Sequence, residues 1–80
     1  MANHEHLEIL GRSVKEWNRW REDNPDVKPG LWRANLSDAD LRGADLSEAY
    51  LLEACLIRAD LSEACLCEAD LRWADLRVVP

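Results

Sequence analysis

Histidine, long apolar runs and glycine-rich loops are scarce in this chain of 80 residues, and each scarcity excludes a class of function. The only histidines are His4 and His6, so residues 31–80 supply no base for a nucleophile–base–orienter set. The three glycines form no phosphate-binding loop. No apolar run is long enough to span a bilayer. We therefore expect no enzymatic activity, no catalytic residue, no cofactor and no membrane association.

Cysteine is also scarce, with three residues at Cys55, Cys65 and Cys67. An odd cysteine count, without the apolar core of a signal peptide, is typical of free thiols in the reducing cytoplasm, where we expect the protein. In extended backbone Cys65 and Cys67 point to one outer side, but two ligands are too few for structural zinc. Cys55 is not expected to reach them. We interpret the thiols as structural or incidental, and His4 and His6 as frayed terminal residues.

The chain is acidic, with a formal net charge of −6. Residues 31–80 carry most of this charge, with ten acidic residues against five arginines, while residues 1–30 are nearly balanced. An acidic surface argues against direct binding to nucleic-acid phosphates or to an anionic membrane. It is either a simple solvated surface or one complementary to a basic partner.

Leucine recurs at every fifth position from Leu31 to Leu76, and alanine lies two residues before each leucine from Leu36 onward. On an α-helix, a step of five advances about 500°, so the leucines would spread around the helix. On a flat strand, an odd step sends successive leucines to opposite faces. All of the leucines face inward only if the backbone turns a corner once per pentad. Such corners wind the chain into a tube whose coils stack about 4.8 Å apart.

The sequences of residues 39–43 (ADLRG), 44–48 (ADLSE) and 59–63 (ADLSE) resemble the A-(D/N)-L-x-x unit of the pentapeptide-repeat family. The resemblance covers residues 31–78. It implies a mainly β protein, a right-handed four-sided (quadrilateral) β-helix solenoid with four pentads per coil. Ten pentads then make about two and a half coils, with residues twenty apart stacked on each other. Three positions depart from the usual Asp or Asn: Tyr50, Cys55 and Cys65.

The N-terminal segment, residues 1–30, is predicted to be a helix followed by a linker, and residues 31–80 form the repeat. Apolar residues at steps of three and four predict a helix over residues 4–23. Ser13 and Glu16 also match a capping box, so the helix has an alternative start at Ser13. Because stacks of repeats need covered ends, we expect an α-helical cap on the first coil. Its predicted capping residues are Leu7, Leu10, Val14 and Trp17. Alternatively, this helix binds a partner through its aromatic residues.

The C-terminal end of the repeat has no helix to cover it after Leu76. An exposed strand edge pairs with another chain unless it is protected, so we expect two copies to meet end to end with two-fold symmetry. Pro80 would block further strand addition. The candidate interface residues at this end and on the outer face are Leu71, Leu76, Val78, Val79, Trp73, Leu52 and Trp32. Alternatively, the N-terminal segment covers Trp32 and Leu52.

These features predict a non-catalytic protein-interaction or assembly module, a homodimer through its C-terminal coil that also binds an unidentified protein partner. The resemblance offers one alternative, an acidic DNA-mimic inhibitor of a DNA-binding protein such as DNA gyrase. Two and a half coils span only about 12 Å, which matches about seven phosphate charges of a duplex. The outer residues also alternate in sign, as Arg33 and Glu53 illustrate. Both points weaken the alternative.

Overall fold

The computed structural model describes residues 2–77, which begin with two short helices. Helix α1 spans His4–Arg12 and helix α2 spans Val14–Asp23. Ser13 separates them because its backbone is extended, with φ of −174°, and its side chain accepts a hydrogen bond from the Glu16 N–H. The segment predicted as one helix is therefore broken at the position where the capping box gave the alternative start.

After the helices the backbone makes one tight turn per pentad. Each turn is closed by a hydrogen bond from an alanine N–H to the carbonyl of the leucine three residues before it, as from Ala54 to Leu51 at 3.0 Å. The third residue of each turn has a positive φ, as in a type II turn. These third residues are Arg33, Asp38, Gly43, Glu48, Glu53, Arg58, Glu63, Glu68 and Trp73.

Between the turns, the chain pairs with itself at intervals of twenty residues. Within residues 2–77 the pairings are isolated parallel bridges: Gly30 with Tyr50, Asn35 with Cys55, Asp40 with Asp60, Asp45 with Cys65, Tyr50 with Asp70, and Cys55 with Asp75. We call residues 30–77 the stack, and each successive twenty residues of the stack a coil. The interval of twenty agrees with the spacing expected from four pentads per coil.

The predicted fold class is nevertheless wrong. A mainly β protein, built as a right-handed four-sided β-helix, requires strands and sheets, and the described residues 2–77 contain neither. The physical reason is the length of each extended segment. Turns follow one another every five residues, so only one residue per pentad forms a bridge before the backbone turns again. The regular secondary structure in this part of the chain is helical, α1 and α2.

The core lies inside the stack and beneath the helices. Leu31, Leu46 and Leu51 have no exposed surface, and Trp17 of α2 joins the same buried cluster. Burial of the leucines then decreases along the chain. Leu61, Leu66 and Leu71 are half-buried, and Leu76 is 49% exposed. The helices therefore cover part of the first end of the stack, whereas no helix covers the last coil within the described residues.

Candidate interaction surfaces at the ends of the stack

Helix α2 covers the first coil by direct hydrogen bonds to its backbone. The Nε1–H of Trp17 and the Nη1–H of Arg21 both donate to the carbonyl oxygen of Asp45, each at 2.8 Å. Arg21 also donates from Nη2 to the carbonyl oxygen of Ser47 at 3.0 Å. The Oδ1 atom of Asn18 accepts from the Asp45 N–H at 2.8 Å. Three side chains thus satisfy three backbone groups of one pentad.

The corresponding groups one coil later bond to backbone instead. The Cys65 N–H donates to the carbonyl of Ala44, and the Cys65 carbonyl accepts from Leu46. The Cys67 carbonyl accepts from Glu48. The backbone of Asp45 and Ser47 has no earlier coil to bond to. Its donors and acceptor come instead from the side chains of Trp17, Asn18 and Arg21.

Helix α1 bonds to the start of the stack in a similar way. The Nδ1 atom of His6 accepts from the Gly30 N–H at 3.0 Å, and the Asn3 N–H donates to the Gly30 carbonyl at 2.8 Å. His6 is 8% exposed, and burial lowers its pKa despite the opposing charge of Glu5. The interpretation of His6 as a frayed terminal residue is wrong, because this ring lies in α1 and packs 4.8 Å from Trp20.

The four predicted capping residues lie on the side of the helices that faces the stack. Leu10 and Trp17 are buried, whereas Leu7 and Val14 are half-buried against the same core. The polar partners Asn3, His6, Asn18 and Arg21 were missed. Only the position of Arg21, four residues after Trp17 on the same helix face, was visible in the sequence, and it did not indicate which groups Arg21 would bind.

The cap covers only part of the first coil. An open groove of about 1110 Å³ remains between the helices and the pentads that contain Asn35 and Asp40. Its apolar lining includes Leu7, Leu10, Val14, Leu36, Ala39 and Leu41. Within residues 2–77, the backbone N–H groups of Asn35 and Asp40 donate no hydrogen bond. Here the backbone of the first coil is open to solvent.

The last coil presents a second open edge. Several of its amide N–H groups have no hydrogen-bond acceptor within residues 2–77, among them those of Leu66, Glu68, Leu71 and Trp73. Their counterparts one coil earlier all donate to the following coil: Leu46, Glu48, Leu51 and Glu53. The carbonyls of Ala64, Ala69 and Ala74 are likewise without an N–H partner in the described part of the chain. We call residues 63–77 the C-terminal edge.

The predicted interface residues fall into three groups. At the C-terminal edge, Leu71 is half-buried, Leu76 is 49% exposed and Trp73 is 83% exposed. Val78 and Val79 lie outside the described residues. On the outer face, Trp32 and Leu52 are half-buried and lie in successive coils, since the Arg33 N–H bonds to the Leu52 carbonyl. The Trp32 ring stacks on Tyr50 with centroids 5.3 Å apart, so part of its surface is already covered.

The acidic residues of the stack are mostly paired with basic ones. Across coils, the guanidinium of Arg58 binds both carboxylate oxygens of Asp38, at 2.6 and 2.9 Å. Within a pentad, Arg42 binds Asp40 and lowers the pKa of that carboxyl to about 2. Among the acidic residues of 31–77, only Glu63 and Glu68 lack a basic group within 4.0 Å in the described part of the chain. The surface therefore alternates in sign.

The thiols divide into a pair and a single residue. Cys65 and Cys67 are exposed, and their Sγ atoms are 3.4 Å apart, whereas Cys55 is half-buried. Hydrogen bonding to Cys65, together with the charge of Glu68, raises the pKa of the Cys67 thiol. Within residues 2–77, no group of three or more His, Cys, Asp or Glu side chains is arranged to hold a metal ion.

Comparison with known proteins gives one match. The family model for pentapeptide repeats matches residues 34–72 and 54–77, with eight copies of the repeat. No curated protein and no solved structure matches the chain. No helix in the described residues is long and apolar enough to cross a membrane.

Proposed function

The chain belongs to the pentapeptide-repeat family, and we propose that this repeat protein is a non-catalytic assembly module that forms a homodimer through its C-terminal edge. The observation that carries the proposal is the row of backbone groups at residues 63–77 without partners in the described chain. Unpaired edges of this kind are templates for pairing with another chain.

The hydrogen-bonding groups of this edge suit a second copy of itself. Its donors are amides such as Leu66 and Leu71, and its acceptors are carbonyls such as Ala64 and Ala69. Because both kinds of group alternate along one edge, two identical edges supply each other's partners when related by a two-fold axis. A partner of different sequence is not required.

Apolar surface at the same edge favours burial. Leu71 is half-buried and Leu76 is 49% exposed, while Leu51 has no exposed surface. Trp73 stands 83% exposed beside them, and a tryptophan in such a position is a typical interface anchor. Contact with a second copy would remove these groups from water.

The alternative of an acidic DNA mimic has less support. Such mimicry requires a continuous row of negative charge along the surface. Here most carboxylates of the stack have a basic partner, as Asp38 has Arg58 and Glu53 has Arg33. For the location we propose the cytoplasm, which the three free cysteines support because thiols persist in a reducing compartment.

Measurement of molar mass by light scattering, over a wide range of protein concentration, tests the proposal. We expect the mass to rise from one chain to two chains as concentration increases. The variant Leu76→Arg should remain monomeric with an unchanged circular dichroism spectrum, because a charge at the edge opposes burial. The control Val27→Arg changes a 38% exposed apolar residue away from this edge and should dimerise normally. A wild-type chain that stays monomeric at high concentration, or a Leu76→Arg variant that dimerises like the wild type, would contradict the proposal.

A further inference from the structure

We propose that Cys65 and Cys67 form a chelating site for one thiophilic divalent cation, such as zinc or cadmium. The two sulfurs are 3.4 Å apart, and both side chains are exposed on the outside of the stack. Both cysteines lie within the C-terminal edge, but the site uses their exposed thiols, whereas the proposed dimer contact uses backbone groups and apolar side chains. It would give the repeat a ligand-binding role in addition to assembly.

The sulfur separation fits a chelate better than a disulfide. Two thiolates that bind one tetrahedral zinc ion at about 2.3 Å lie about 3.8 Å from each other. Cys65 and Cys67 reach that separation from 3.4 Å by small side-chain rotations. A disulfide requires the sulfurs to close to about 2.0 Å, which is a larger movement.

The backbone holds the pair in place before any ion binds. The Cys65 N–H and carbonyl are both hydrogen-bonded to the previous coil, at 2.9 and 2.8 Å. The Cys67 carbonyl accepts from Glu48 at 2.8 Å. Because these bonds fix both α-carbons, chelation orders only the two side chains, and ligands held in place in this way favour binding.

The surrounding charge also favours a cation. Glu68 follows Cys67 directly, and it is one of the two stack carboxylates without a basic group within 4.0 Å in the described residues. Negative charge near two thiolates raises the local concentration of cations.

Binding involves no change of oxidation state. Each thiol loses its proton to solvent and forms one bond between sulfur and the ion, so one divalent cation displaces two protons. Soft thiolate ligands select ions such as zinc or cadmium over magnesium or calcium. The two remaining tetrahedral positions of the ion are open to water, because the site lies on the surface.

Titration of the fully reduced protein with cadmium, followed by the cadmium–thiolate charge-transfer absorbance, tests this site. We expect one ion per chain, with the same affinity in the wild type and in the control Cys55→Ser. Cys65→Ser and Cys67→Ser should each weaken binding by more than the roughly 10- to 100-fold that is lost when a residue hydrogen-bonded to a metal ligand is replaced. Far-ultraviolet circular dichroism checks that each variant remains folded.

Three results would overturn the proposal: no charge-transfer band in the wild type, serine variants that bind as tightly as the wild type, or one ion for every two chains. The last result would indicate that the ion bridges two molecules. The titration is done at a concentration where light scattering gives a single chain, so its outcome does not depend on dimer formation. A monomeric protein that binds one cadmium ion would support this site while contradicting the proposed dimer.

Discussion

The indole N–H of Trp17 donates to the backbone carbonyl oxygen of Asp45 at 2.8 Å, across a sequence separation of 28 residues. Trp17 has no exposed surface, and its ring packs 5.2 Å from that of Trp20. One side chain thus supplies both apolar contact and a donor that backbone supplies elsewhere in the stack. The attachment of α2 to the first coil depends on this combination.

Replacement of Trp17 by phenylalanine should weaken the attachment of α2. The change removes the indole donor and part of the buried volume, so we expect a loss of about 1–3 kcal/mol in the free energy of unfolding. Denaturant unfolding at low protein concentration measures it. The control Trp73→Phe alters a tryptophan that is 83% exposed and should change stability by less than about 0.5 kcal/mol. Equal effects of the two changes would contradict the role assigned to Trp17.

Two glycines provide a test of backbone strain in the turns. Gly43 has φ of +71° and Gly11 lies in α1, and a Cβ atom added to either would meet no heavy atom within 4 Å. Gly43→Ala should therefore lower the free energy of unfolding by about 1 kcal/mol through its φ alone. Gly11→Ala should raise it by about 0.5–1 kcal/mol, because alanine favours the helix. Changes of the same sign in thermal unfolding would refute this explanation.

Stability should depend on pH through His6. Burial lowers the pKa of His6 below its usual value of 6.5, so the unfolded chain binds this proton more readily than the folded chain. The contribution is complete above that value and is lost as pH falls below it, toward the lower pKa of the folded state. His6→Gln, whose amide oxygen still accepts from Gly30, should weaken this dependence in denaturant unfolding between neutral and mildly acidic pH. The control His4→Gln changes an exposed residue and should keep the wild-type profile.

The carboxyl group of Asp40 should titrate at about pH 2, because hydrogen bonds from Arg42 lower its pKa from 3.8. Since the folded pKa is depressed, the linked stability is present above 3.8 and is lost as pH falls toward 2. Side-chain carboxyl NMR signals measure the titration directly. Arg42→Gln should return the pKa of Asp40 toward 3.8, whereas Arg77→Gln, which removes the partner of Asp75, should leave it unchanged. A wild-type Asp40 that titrates near 3.8 would be inconsistent with the ion pair.

The inner surface and the register of the stack follow directly from the repeat. An alanine and a leucine two residues apart point the same way in extended backbone, and Ala49 and Leu51 are indeed fully buried. The prediction of β structure failed because the period of five specifies how often the chain turns, but not how much backbone stays extended between turns. The non-glycine residues with positive φ, such as Glu53 and Arg58, carry no local signal for that conformation.

The hydrogen bonds of the cap were beyond prediction for a different reason. Asn18 and Arg21 are polar residues of a short helix, which ordinarily face solvent. Only the folded chain brings them to Asp45 and Ser47, more than twenty residues later. The roles of Trp73 and Leu76 in self-association stay predictions, because they concern a second molecule.

The ion pairs between coils favour the observed coil of twenty residues over a coil of twenty-five residues, which would contain one more pentad. Every pentad from Ala34 onward has the same inner alanine and leucine, so the core would accept either winding. In the observed one, Arg33 meets Glu53 and Asp38 meets Arg58. A winding of 25 residues would instead place Arg33 opposite Arg58, and Asp38 opposite Glu63. Like charges in such positions repel. The charges of the surface arginines and carboxylates thus favour four pentads per coil over five. The leucines favour neither winding, because they are the same in every pentad.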